Sequence, residues 1–132
     1  MESKSINLCR GKRKSDGKWV EGNYLHLNVG RDFICDGTVW IGTLAPCKEE
    51  VKPETVGRFT GETANGAQLF EGDIFQYDDE LMVVEWSVPD SGYVARSLDG
   101  SNWEYPLGQF HLGCAEIVGN IHDNPELLED QT

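Results

Sequence analysis

Short stretches in which β-branched and aromatic residues alternate with polar ones recur along the chain: Trp19–Leu27, Phe33–Cys35, Thr38–Ile41, Asp73–Tyr77, Leu81–Trp86 and Gly92–Arg96. A period of two puts the apolar side chains on one face of a strand, and β-branched and aromatic residues fit that pleated, half-buried surface. Between these stretches lie Asp16-Gly17, Asp36-Gly37, Asn65-Gly66, Asp78-Asp79, Pro89-Asp90-Ser91-Gly92 and Asp99-Gly100, residue types that favour tight turns. Asp36-Gly37 has the length and composition of a type I′ hairpin turn joining Phe33–Cys35 to Thr38–Ile41. No long segment keeps a helical apolar period, and the chain carries 15 glycines, each costing about 1 kcal/mol in a helix interior. Two short helical turns are expected. One covers Pro53–Val56; the other covers Asn124–Leu128, with Asn at the N-cap, Pro at the first helical position and Glu in the first turn.

Length and charge refine this mostly β reading. A chain of 132 residues suits one compact unit able to bury a core without disulfides or metal. Residues 1–58 carry ten basic and eight acidic groups, whereas residues 59–132 carry fifteen acidic groups and a single basic one, Arg96. The contrast suggests an N-terminal β-rich region, 1–58, packed on a region 59–132 that contains a small barrel. So acidic a half repels phosphates, which disfavours nucleic acid as a partner. The basic exception, Arg10-Gly11-Lys12-Arg13-Lys14 with Lys18, has no aromatic interleaved within it. It reads as solvated side chains on an exposed turn, with a phosphate-binding patch as the alternative.

The longest apolar run, Leu81–Val84, is far short of the roughly 20 residues that cross a bilayer. The first residues lack the apolar stretch of a secretory signal, so a cytoplasmic location and reduced thiols are expected. Cys9, Cys35, Cys47 and Cys114 form no Cys-x-x-Cys pair. His111 and Cys114 lack the further ligands that a zinc site needs, and neither metal nor cofactor is expected. Glu71, Asp73, Asp78, Asp79 and Glu80 cluster around one strand, which raises the possibility of Mg²⁺-dependent phosphoryl chemistry. Against it, Asp78-Asp79-Glu80 fits a solvated hairpin tip, and no lysine or arginine follows nearby to clamp a phosphate.

Several blocks occur in an order that resembles one family. They are Cys9-Arg10-Gly11-Lys12-Arg13, Asp16–Gly22, Pro53–Gly61, Asn65-Gly66 leading into Leu69–Ile74, Val83–Trp86, and Glu116–Leu128. Together they resemble the YopX-type proteins of phages and prophages. Within the blocks, Arg58, Phe59, Gly61, Glu71, Gly72, Asp73, Glu85, Trp86, Gly119, Asn120, Asn124 and Pro125 are the signature candidates. Glu62-Thr63-Ala64 departs from the more basic stretch associated with the family. The resemblance implies a phage or prophage protein acting in the bacterial host cytoplasm, and it gives context rather than mechanism. Gly72-Asp73-Ile74 also looks like the strand entry of small SH3-like barrels, with Gly72 permitting a tight bend and Asp73 accepting nearby backbone N–H groups.

The resulting expectation is a mostly β protein: a small SH3-like barrel with an N-terminal β-rich extension and one or two short helical turns. Functionally it reads as a non-catalytic accessory module that binds a host or phage protein, with homo-oligomerisation open. One alternative is an acidic decoy that mimics DNA before a host DNA-binding enzyme. Another is a metal-dependent nuclease or hydrolase using Glu71 and Asp73.

Overall fold

A computed structural model describes residues 8–27, 31–35 and 49–129. The described chain is mostly β, in a curled half-barrel sheet and a second sheet. It divides between residues 59 and 60 into two compact units. The Asp36-Gly37 hairpin, the Thr38–Ile41 strand and Cys47 lie outside the described residues.

The first unit contains β1 (Leu8–Lys12), β2 (Trp19–Leu27), β3 (Arg31–Cys35), β4 (Glu49–Val51) and the opening residues of β5 (Gly57–Ala64). Neighbouring strands pair antiparallel in the order β4-β3-β2-β1-β5. Cys9, Ile34 and Val51 form its core, with Val20 and Val56 packed against them. Pro53–Thr55 is a single 3₁₀ turn, and the Thr55 Oγ1 accepts the Lys12 N–H at 2.9 Å.

Only part of the basic stretch is a solvated turn: Lys14 and Lys18 are exposed at the turn over residues 14–16, but the residues before it are not. Arg10 and Lys12 lie on β1, whose burial alternates with Cys9 and Gly11 inward. Both cations sit over the ring of Trp19, at 4.7 and 5.4 Å from its centroid. Arg13 pairs with Asp16 and Glu49, and Lys14 with Glu50. The small inward residues hid the strand from a search for bulky apolar positions, and the aromatic partner comes from the neighbouring strand rather than from within the basic run.

In the second unit, the end of β5 forms a hairpin with β6 (Ala67–Phe70). Asn65 and Gly66 both have positive φ, 51° and 89°, as a type I′ turn requires. A second sheet contains β7 (Asp73–Tyr77), β8 (Glu80–Ser87), β9 (Gly92–Ser97), β10 (Glu104–Pro106) and β11 (Glu116–Asn120). Its order is β10-β9-β8-β7-β11, antiparallel throughout. Two cores flank β8, as period two demands. Met82 and Val84 join Leu69, Phe75, Ala95, Leu107 and neighbours, whereas Val83 joins Ile74 and Leu98. Helix α1 (Glu126–Glu129) sets Leu127 and Leu128 against the Val83 core.

Candidate functional site

The turn between β6 and β7 is built by Glu71-Gly72-Asp73. Gly72 adopts φ 94°, a left-handed conformation that costs a side-chain-bearing residue energy. Its N–H donates to the Val84 carbonyl at 2.9 Å, and its carbonyl accepts the Ile121 N–H at 2.9 Å. Asp73 is only 2% exposed, and its Oδ2 accepts the Phe70 N–H at 2.7 Å. That carboxylate closes the turn over buried backbone, which otherwise would carry an unmatched donor.

The second turn, after β11, uses two asparagines. The Asn120 Oδ1 accepts the N–H groups of His122 and Asp123, both at 2.9 Å, while its Nδ2 donates to Asp123. The Asn124 Oδ1 reaches back to the Asn120 N–H at 3.1 Å, a use that the N-cap pattern did not reveal. Pro125 then begins the turn into α1, and its carbonyl accepts the Leu128 N–H. Asn120 stands opposite Asp73 in the β11–β7 register. The blocks around Gly72 and Gly119 are therefore brought together, and what they assemble is a hydrogen-bonded junction.

A model of the YopX protein family matches residues 9–129. The chain belongs to the YopX family. Comparison with curated proteins returns no match.

Other signature positions of this YopX chain lie apart from that junction. Arg58, exposed, and Phe59, half-buried, lie in the first unit on β5, where Arg58 stands opposite Cys9. Gly61, in the second unit, has φ 91°. Glu85 holds Arg96 by a forked pair, with contacts of 2.8 and 3.1 Å, and Arg96 also donates to Asn102 Oδ1. Glu85 and Arg96 project on one side of the β8–β9 hairpin. On the other, Trp86 stays 47% exposed and meets Tyr93 edge to face, with centroids 5.0 Å apart.

Three groups outside the signature stand out. In the first unit, Asp32 is buried between Tyr24, whose hydroxyl donates to Oδ2 at 2.7 Å, and His26, whose Nδ1 lies 2.6 Å from Oδ1. Burial pushes the Asp32 carboxyl up, but the Tyr24 and His26 contacts outweigh it and hold the carboxyl below its usual range. Burial, then the Asp32 carboxylate, pushes the Tyr24 phenol up to about 12. Cys114 is exposed and Cys9 buried; the Cys114 N–H donates to the His111 carbonyl. Among the described residues, no three His, Cys, Asp or Glu side chains gather as a metal-holding group.

The third group lies in the second unit, where a cleft of about 660 Å³ opens beside the β7–β8 turn. Tyr77, Tyr105 and Phe110 line it together with Asp78, Asp79 and Glu80. Phe110 is the hub: its ring stands nearly perpendicular to those of Tyr77, Tyr105 and buried Phe75, at centroid distances of 5.1, 6.0 and 5.7 Å. Sequence reading identified the acidic hairpin tip, and Asp78, Asp79 and Glu80 are exposed there. It missed the rings. Tyr105 and Phe110 fall in a segment with no period; the pairing of β10 with β9 places Tyr105, and the 3₁₀ turn Leu107–Gln109 leads on to Phe110 and to His111, whose N–H reaches the Tyr77 hydroxyl.

Proposed function

We propose that this YopX-family chain is a phage- or prophage-encoded accessory protein that acts in the host cytoplasm by binding another protein, without catalysis. The observation that carries the reading is the placement of Asp73. Of the two carboxylates that the sequence offers for metal chemistry, Glu71 and Asp73, Asp73 is buried and its Oδ2 accepts the Phe70 N–H, which engages it in the β6–β7 turn. Gly72, Asn120 and Asn124 serve the adjoining backbone in the same way. Binding is supported by the aromatic side chains at the surface of the second unit. Trp86 and Trp103 are well exposed, and indole rings offer large contact area with few torsions to freeze. We assign the second unit to the SH3-like barrels, on the strength of its five short antiparallel strands and the Gly72-Asp73 entry to β7.

The test is incubation of the purified chain with DNA or RNA in Mg²⁺ or Mn²⁺. The expected result is intact nucleic acid, with Asp73→Asn lowering the melting temperature. Metal-dependent cleavage that Glu71→Ala or Asp73→Asn abolishes, while the variant stays folded, would overturn the reading.

A further inference from the structure

We propose that the cleft lined by Tyr77, Tyr105 and Phe110 receives a lysine or arginine side chain from a basic segment of a partner protein. This rests on the protein-binding reading and names the chemistry of the partner. Aromatic rings attract a cation through their quadrupole when it lies within about 6 Å of a centroid, and the attraction grows as water is displaced. Here three rings share one concavity. Asp78, Asp79 and Glu80 line the same cleft, adding a long-range pull on positive charge and a repulsion of phosphate. An apolar ligand would gain nothing from those carboxylates, and a bare metal ion would gain little from the rings. A cationic side chain with an aliphatic stem uses both.

The second unit does not supply that cation itself. Residues 60–132 contain one arginine and no lysine, and this Arg96 is clamped by the fork of Glu85 and by Asn102. The cleft is also open and large enough for more than a free ammonium ion, since its volume of about 660 Å³ falls within the range of drug-sized ligand sites. A side chain entering from an extended segment leaves room for its neighbours to meet the carboxylates.

The experiment is an amide-resolved NMR titration of the full chain with a capped hexaarginine peptide. A hexacitrulline peptide, nearly the same shape without charge, is the control. Expected are shifts concentrated at residues 77–80, 105 and 110, with the citrulline peptide inert. Tyr105→Ala should weaken binding by at least about fivefold, the loss of a single cation–π contact, and Tyr105→Phe should retain it. If Tyr105→Ala proves unfolded by circular dichroism, Tyr105→Leu replaces it with the same expectation. Binding unchanged in the non-aromatic variant, equal binding of hexacitrulline, shifts centred elsewhere, or no binding of hexaarginine would each overturn the proposal. So would concentration-dependent self-association that occupies the same residues, since a second copy of the chain would then be the occupant. Failure here leaves the binding reading standing, because that reading falls only to metal-dependent cleavage in the separate assay.

Discussion

Gly119 has no room for a side chain. A Cβ there would lie 2.4 Å from the Asn124 Oδ1 and 3.2 Å from the Asn124 Cβ, and that oxygen is already engaged by the Asn120 N–H. Gly119→Ala should displace Asn124 and leave a part-buried donor unmatched, at a cost of roughly 1–3 kcal/mol, read as a lower urea midpoint. Gly108→Ala is the control, since nothing stands within 4 Å of its added carbon, and it should leave the midpoint in place. Titration supplies a second residue-scale prediction. Because the Tyr24 phenol is raised to about 12 from an ordinary 10.0, the folded state holds its proton longer, and the stability this contributes is fully present below pH 10 and is lost as pH rises towards 12. Asp32 works the other way. Its lowered carboxyl contributes stability above the usual carboxyl pKa, lost as pH falls through the lowered value. Tyr24→Phe should therefore flatten the alkaline fall in melting temperature; an identical alkaline limb in the variant would contradict the assignment.

At the scale of elements, the hairpins were the legible part. β2 and β7 begin and end where alternation places them, β8 and β9 extend at most a residue further at either end, and the turns expected at Asn65-Gly66, Asp78, Ser91 and Gly100 form with those residues at positive φ. Elements whose inward positions are small or polar escaped notice. β1 turns Cys9 and Gly11 inward, β5 buries Gly57 and Ala64 among polar neighbours, and β11 has a register shift between Ile117 and Gly119 that breaks its alternation. Partners across the sheet define such strands, and a single stretch of sequence does not contain its partner. The C-terminal helical turn was legible from its Asn, Pro and paired leucines. Since Leu127 and Leu128 are half-buried against Ile74, Val83 and Leu98, truncation after Pro125, which keeps Asn124 on the Asn120 N–H, should cost roughly 2–3 kcal/mol, somewhat below full burial of two leucines. A melting temperature unchanged by the truncation would contradict that packing.

For the molecule as a whole, charge is the property the sequence states most completely, and the cleft the one it states least. The net charge is −12, with the excess concentrated beyond residue 58, so self-repulsion opposes compaction there. Raising NaCl from about 10 mM to about 0.3 M shortens the screening length to under roughly 10 Å and should lift the melting temperature by roughly 2–5 °C. A flat or falling curve would contradict that self-repulsion. The cleft needed two separate segments, residues 77–82 and 105–110, to converge, and nothing local to either announces the other. The exposed indoles carry a last consequence, for spectroscopy. Trp103 is 66% exposed and Trp86 nearly half so, so both should already emit at the long wavelengths of water-solvated indole in the native state, and unfolding of the second unit should barely move their emission. The perpendicular rings of Phe75, Tyr77, Tyr105 and Phe110 form a fixed chiral array instead. Near-ultraviolet circular dichroism, rather than tryptophan fluorescence, is the signal that should follow this unit as it comes apart.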